Sequence, residues 1–513
     1  MFGNPGSTEL PMLRDFPDDF RYLLALQEAV AVGMADGYAQ ASGTVGHVNL
    51  HTAPGVGNGM GAIFNAQANH TPLLVTAGQQ VRGLVTLQAN LTNRDATRMP
   101  HPLVKWSYEP PRPEEVPLAL GRAIHLANAP AKGPTFVSIP MDDWDADAPP
   151  GDSEHVLARE VASRQGPDPE AIESAATALA AASAPVLIAG PDIDASGAWD
   201  LAVELAEKQG LPVFAIPATG GGRIGFPEGH ANFRGVLPPA IGPVSETLKG
   251  HDLILVVGSS VFPYYPNIPG PLLPEGAALI QITSDPDEAA RAPMGRAIVG
   301  DVKLTLEDLL TRVEAAHRDP GEPLPEPVAG EDADPITGTA AMHALRGAFP
   351  DDGIVILEAP SATLALRNQL RLSRPGSYYF GAGGGLGFGL AAAVGVQIAQ
   401  PDRPVVCVVG EGSAQYAITA LWSAVAYEVP LTVLVLRNSE YAILKWFSAI
   451  EQVEGAPGLD LPALDTAAVA TAYGVRSTKV DTADELGDAL THAIASPKPE
   501  LVEVGVAPGM WLF

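Results

Sequence analysis

PVVCVVGEGS (residues 404–413) is an unbroken apolar run that ends in glycine, a carboxylate and a hydroxyl. A second such run, PLTVLVLRN (430–438), ends in asparagine. Between them AITALWSAVAYE (417–428) reads as a helix, and Pro430 restarts the chain. Valine-rich runs on either side of a helix read as parallel strands buried on both faces and joined by a right-handed crossover. Parallel strands place Glu411 and Asn438 at the same, carboxyl, edge of one sheet, where open α/β sheets bind their ligands. A carboxylate and an amide oxygen there form a hard oxygen set that suits Mg²⁺, with room for waters and phosphate. Gly410 and Gly412 are expected to let backbone approach a phosphate closely. Ser413, expected to open the following helix, offers an amide and a hydroxyl to an anion. The competing reading is a plain helix start with a loop carboxylate beside it.

The same alternation runs through the chain. VGHVNLH and PLLVTAG flank a glycine- and alanine-rich helix, and APVLIAG, LPVFAI, HDLILVVG and ALIQIT follow at α/β spacing before IVILE begins the last segment. Proline-rich, charged stretches at about 145–170 and 318–335 read as linkers. The expected architecture is therefore α/β, with three doubly wound parallel-sheet domains at 1–155, 168–317 and 336–513. A chain of 513 residues is long enough for about three cores. Its formal net charge of −29 argues against nucleic acid or an anionic membrane surface as partner. No window of about 20 residues is apolar enough to span a bilayer, and no basic-then-apolar leader opens the sequence. The single cysteine, Cys407, is expected in the core and makes no intrachain disulfide, so a cytoplasmic protein is the expectation. GGGRIG (220–225) fits a dinucleotide fingerprint in its glycines, but FPEGHANF follows where that fingerprint needs a helix, so no nucleotide is expected there.

Glycine–carboxylate–glycine followed by asparagine some 25 to 30 residues on resembles the metal motif of thiamine diphosphate enzymes. Further stretches carry the resemblance over essentially the whole chain: FGNPGSTELP, FRYLLALQEA, ADGYAQASG, PLLVTAGQQ, PLVKWSYEP, EAARAPMG, PGSYYF, GGLGF and TALWSAVAY. They are similar to the 2-oxo acid decarboxylases of that family, the benzoylformate decarboxylases above all. The resemblance implies a pyrimidine-binding, a central Rossmann-like and a diphosphate-binding domain. It further implies thiamine diphosphate with Mg²⁺ (or Ca²⁺), a homodimer as minimal active unit and a homotetramer as the usual assembly. The implied reaction is non-oxidative decarboxylation of a small 2-oxo acid, with an aromatic one expected, to an aldehyde and CO₂. Two alternatives stay open: carboligation to an acyloin or acetolactate-like product, and a cofactor-binding paralogue without turnover.

Residue by residue, the resemblance assigns Glu28 to the cofactor's pyrimidine, His51 to proton exchange with the substrate-derived oxygen, and Ser7 to the substrate carboxylate. Glu28 stands out on physical grounds too, because LALQEAVAVGMADGYA is apolar on nearly every face and a carboxylate buried there needs a partner. Gly384, Leu386, Ser361, Gly412, Ser413 and Tyr441 match cofactor contacts. Glu411, Asn438 and the carbonyl of Glu440 match the metal ligands. Leu91, Pro360, Ile443, Leu444 and Phe447 match substrate-pocket positions, and His70 reads as structural. Three positions depart from the pattern. Glu411 replaces aspartate and extends the ligand by about 1.5 Å. Tyr265 stands where the decarboxylases carry a second active-site histidine, and a phenol with a pKa of about 10 is a poor proton shuttle at neutral pH. Pro360 replaces a hydroxyl residue. The resemblance also implies a helix and a strand before FGNPGS, so Met1 is expected to be an internal position taken as a start.

Overall fold

The computed structural model describes every residue except 148–151, 218–220, 332 and 512–513, and Gly220 of GGGRIG lies outside the described residues. It contains three six-stranded sheets, and every strand pairing in them is parallel. The first sheet comprises β1 (Phe2–Gly3), β2 (Leu23–Leu24), β3 (Gly46–Leu50), β4 (Leu73–Gln79), β5 (Trp106–Tyr108) and β6 (Thr135–Pro140), in the order β2-β1-β3-β4-β6-β5. The second comprises β7 (Pro185–Ala189), β8 (Val213–Ala215), β9 (Phe233–Val236), β10 (Leu253–Val257), β11 (Ala278–Thr283) and β12 (Arg296–Val299), in the order β12-β11-β10-β7-β8-β9. The third comprises β13 (Ile354–Glu358), β14 (Tyr378–Phe380), β15 (Val405–Gly410), β16 (Leu431–Arg437), β17 (Arg476–Val480) and β18 (Glu500–Gly505), in the order β14-β13-β15-β16-β18-β17.

β15 and β16 pair in register from Val405–Leu431 to Gly410–Leu436, so the two runs read first in the sequence are adjacent central strands. Both are buried on both faces, as valine-rich parallel strands must be. Cys407 lies in this core. The crossover between them differs from the expected helix. A short helix, Glu411–Ala414, begins directly at the strand end with Gly410 as its N-cap, turns follow, and a second helix covers only Ala420–Ala426. Ser413 therefore sits inside the first turn rather than opening the helix.

The first and third domains meet along two apolar helices, Glu28–Ser42 and Phe388–Ala399. Their backbones touch: a Cβ at Gly37 would lie 2.2 Å from the Ala392 carbonyl oxygen, and one at Gly395 would lie 1.9 Å from that of Met34. Glycine at these positions is a packing requirement, and one hydrophobic core runs from β1–β4 through this crossing to β13, β15 and β16. Polar fasteners hold the middle domain. The Arg223 guanidinium donates to Asp194 at 2.8 Å and to the Gln40 carbonyl at 3.0 Å, and Asp194 accepts from the Gly376 N–H at 3.0 Å. Glu228 and Arg367 form a buried ion pair between the middle and third domains. No helix follows β8 within residues 221–232, in keeping with the reading of GGGRIG. The stretch expected as a linker at about 145–170 holds the helix Asp152–Leu157, whose Val156 packs so closely on Gly121 that a Cβ there would clash at 2.6 Å. Among the described residues of 316–335 there is no helix or strand.

Candidate active site

The carboxyl edge of the third sheet gathers the oxygen set. Glu411 follows β15, is 2% exposed, and accepts the Ser439 N–H at 2.6 Å. Burial pushes its carboxyl pKa up, opposed by backbone N–H groups of the 438–439 turn and by the charge of Arg437. Asn438 follows β16, and its side-chain oxygen accepts the Glu440 N–H at 3.2 Å. The Glu440 carboxylate is turned away, accepting from Lys445 at 2.5 Å and from the Gly509 N–H at 2.8 Å. Its neighbours Ser439 and Tyr441 bond to the Leu459–Leu461 segment, which leaves the Glu440 carbonyl outside that ladder. The residue set thus offers a carboxylate, an amide oxygen and a main-chain carbonyl, all hard donors that fit a divalent cation. Gly412 also has a packing role. A Cβ there would strike Leu461 at 2.7 Å and Tyr441 at 2.8 Å, so its smallness seats Tyr441. Gly410 does face open space, with only the Ser413 hydroxyl within 4 Å.

Ser361 and Pro360 form a short turn after β13, and the Ser361 carbonyl accepts the Trp511 N–H at 3.1 Å. Beside it runs the glycine-rich loop that leads into the Phe388–Ala399 helix. Gly384 adopts φ +73° with nothing within 4 Å of its would-be Cβ, and Leu386 is exposed. Glu358, at the end of β13, is buried and accepts the N–H groups of Gly387, Phe388 and Gly389 at 2.6, 3.0 and 3.0 Å. Burial pushes its carboxyl up to about 7, against those three hydrogen bonds.

The first domain builds a different edge. Glu28 is the first residue of its helix, buried, behind the N-cap Gln27. Its carboxylate accepts from the Asn58 side chain at 3.1 Å. His51 directly follows β3 and is the N-cap residue of the Thr52–Ala68 helix. Gly55, in the first turn of that helix, separates the two groups: a Cβ there would lie 3.3 Å from the Glu28 carboxylate and 3.4 Å from the His51 Cβ. His51 Nδ1 meets Glu9 Oε2 at 2.8 Å and the Thr8 hydroxyl at 3.2 Å. Glu9 is 1% exposed and also accepts from Thr8 and from the N–H groups of Gly6 and Gly78. A carboxylate so fixed sets the tautomer and orientation of the imidazole and leaves Nε2 for chemistry.

Family models for thiamine pyrophosphate enzymes match three stretches of the chain: the N-terminal binding domain at 1–99, the central domain at 172–309 and the C-terminal binding domain at 360–504. The chain belongs to the thiamine diphosphate-dependent enzymes. It is 50% identical over 505 residues to a benzoylformate decarboxylase of Pseudomonas aeruginosa, covering 98% of this chain and 95% of that one. Among solved structures, a thiamine diphosphate-dependent 4-hydroxybenzoylformate decarboxylase of Rhodococcus jostii matches with TM-score 0.96 and 47% identity, over 100% of this chain and 96% of that one. A benzoylformate decarboxylase from Polynucleobacter necessarius matches with TM-score 0.96 and 40% identity, over the same shares.

Tyr265 of the middle domain and Phe447 of the Ala442–Ile450 helix meet with ring centroids 4.6 Å apart, and Ile443 and Leu444 lie on the same helix. Tyr265 is 58% exposed. Ser7 is exposed in the turn after β1, and Leu91 is half-buried with φ +68°. His70 packs between domains, with Asp192 at 3.7 Å and Asp285 at 3.5 Å. Sequence reading missed Thr8, Glu9, Asn58, Asn65 and Glu358. The one available signal was position: Thr8 and Glu9 immediately follow Ser7, in the turn after β1, the strand that pairs with β3, which His51 follows.

Proposed function

We propose that the chain catalyses non-oxidative decarboxylation of an aromatic 2-oxo acid to the aldehyde and CO₂. The observation that carries this is Glu28 and His51 flanking Gly55, in a chain similar over its whole length to benzoylformate decarboxylases. When bound, thiamine diphosphate supplies a nucleophilic carbon and an electron sink. Glu28 holds a proton toward the pyrimidine nitrogen. His51, oriented through Nδ1 by Glu9, exchanges a proton at Nε2 with the substrate-derived oxygen. Ser7 donates to the substrate carboxylate. Tyr265, Phe447, Leu444, Ile443, Leu91 and Pro360 form an apolar wall that fits an aryl group and excludes water. Glu411, Asn438 and the Glu440 carbonyl hold Mg²⁺, and Ser361, Ser413, Gly412, Tyr441, Gly384 and Leu386 hold the cofactor.

The active unit is a homodimer, doubled in a homotetramer. Support comes from the Thr52–Ala68 helix. It carries His51 at its start and meets the cofactor loop of its own chain at Asn65, about 20 Å further along its axis. One cofactor cannot reach both ends, so each site takes its proton-handling residues from one chain and its cofactor loop from another. A cytoplasmic location belongs to the same proposal and rests on the lone buried Cys407, which makes no intrachain disulfide.

The test is CO₂ release by the metal-free apoprotein supplemented with thiamine diphosphate and Mg²⁺, across aromatic and aliphatic 2-oxo acids. Release from aryl substrates that requires both additions is expected, and its absence from every 2-oxo acid overturns the proposal. A second reading, acyloin formation, is favoured by Tyr265, which stands where the related decarboxylases carry a histidine. Product analysis of the same reactions separates aldehyde from acyloin.

A further inference from the structure

Residues 381–389, GAGGGLGFG, contain six glycines and carry both Gly384 and Leu386. Such a segment has the largest conformational freedom a chain can have and loses the most on ordering. Yet it is pinned at three places, two of them by side chains of the first domain. The Asn69 side-chain oxygen accepts the Ala382 N–H at 3.0 Å. Asn65, 2% exposed, binds Gly385 in both directions, donating to its carbonyl at 2.8 Å and accepting its N–H at 3.0 Å. Glu358 then takes the three N–H groups that open the following helix. The glycines fit this clamp, since a Cβ at Gly383 would lie 2.7 Å from the Asn65 oxygen and one at Gly385 3.1 Å from it. Gly384, between them, stays open on its other side.

We infer that Asn65 is a positioning residue for the cofactor: its two hydrogen bonds to Gly385, backed by Asn69 and Glu358, fix the turn that presents Gly384 and Leu386 to the pyrimidine. The inference rests on the thiamine diphosphate reading of the site. A side-chain amide suits the task because it is the smallest group that pairs with a peptide unit through a donor and an acceptor at once. Without it, both polar groups of Gly385 lose their partner in a half-buried place, and the six-glycine turn becomes free to sample other conformations.

The measurement is made on the full-length apoprotein, by calorimetric titration with thiamine diphosphate in Mg²⁺ and by hydrogen exchange of the 381–389 amides before any cofactor is added. Asn65→Ala should raise the cofactor Kd roughly 10-fold or more and speed exchange at 384–387, while KM for the 2-oxo acid at saturating cofactor stays near wild type. Gln67→Ala, on the same helix but bonded to Pro102 instead, should change neither. Should Asn65→Ala not fold, Asn65→Leu keeps the size, loses both hydrogen-bonding atoms, and should show the same changes. Wild-type Kd and wild-type exchange in either folded variant overturn the inference alone. A wild-type protein that binds no thiamine diphosphate overturns the reading beneath it as well.

Discussion

The first and third sheets have the same strand order. Counted from its own first strand, each runs 2-1-3-4-6-5, whereas the middle sheet runs 6-5-4-1-2-3. The carboxyl end of the third strand is thus an equivalent slot in both, and it holds His51 in one and Glu411 in the other. The loop after the first strand holds Ser7 in one and Ser361 in the other. The topology supplies the slots, and the residue placed in each sets its chemistry. In the first domain the slot is lined by titratable side chains: Glu28, His51 and the buried Glu9 that contacts His51. In the third it is lined by oxygen donors and glycines suited to a cation and a phosphate.

That contrast is most directly broken at Glu28. Glu28→Gln should lower kcat by about 10²–10⁴-fold with an unchanged far-UV circular dichroism spectrum and cofactor still bound. A variant with near-wild-type turnover would remove proton handling from the first domain. At the other slot, chelation should abolish activity and added Mg²⁺ restore it. Glu411→Ala should weaken metal-dependent cofactor binding by at least about 10–100-fold, whereas Glu411→Asp should keep or tighten it. Loss of binding in Glu411→Asp would mean that the site is organised around the longer side chain.

Smaller effects sharpen the picture. Glu9→Gln keeps a hydrogen-bonding oxygen near His51 Nδ1 but removes the charge, and should cost about 10-fold in kcat/KM with a shifted pH–rate profile. A loss of activity with no shift in that profile would reduce Glu9 to a structural role. Tyr265→His should shift the ratio of acyloin to aldehyde toward aldehyde by a few-fold at fixed aldehyde, read by product chromatography; an unchanged ratio would leave Tyr265 as pocket wall.

The smallest effect lies outside both slots. Burial alone would lower the pKa of His70, but the Asp192 and Asp285 carboxylates beside it and the charge of Glu288 raise it well above 6.5. Its share of stability is fully present below that unfolded value and is lost as pH rises through the folded one. The Tm gap between wild type and His70→Gln, about 2 °C in weak acid, should therefore close toward alkaline pH. A gap that widens instead would reverse the sign of the linkage.

The strands that sequence reading placed are the apolar ones buried on both faces, such as β4, β10, β15 and β16. Of those it did not place, β1 and β2 span two residues each and β17 is RSTKV at the sheet edge, with no apolar pattern to find, whereas β6 (TFVSIP) and β18 (ELVEVG) are buried six-residue strands that it passed over. The site divided in the same way. Glu411 and Asn438 could be read because a strand–helix–strand unit brings them together locally. Glu9, Asn65 and Glu358 act through contacts 42, 320 and 29 positions away, with no motif to mark them. His70 was read as structural, and its two aspartate partners lie in the next domain.

The backbone contact at Gly37 and Gly395 bears on how such a protein can be recombined. Where two main chains touch, neither side can accept a substituent, so the first and third domains are bound to change as a matched pair. A chimera that takes only one of them from a relative inherits half of a fitted joint and needs small residues at the facing positions to close. The middle domain is fastened by ion pairs and amide contacts at its rim. It is the part that can be exchanged as a cassette, provided Asp194, Arg223 and Glu228 travel with it.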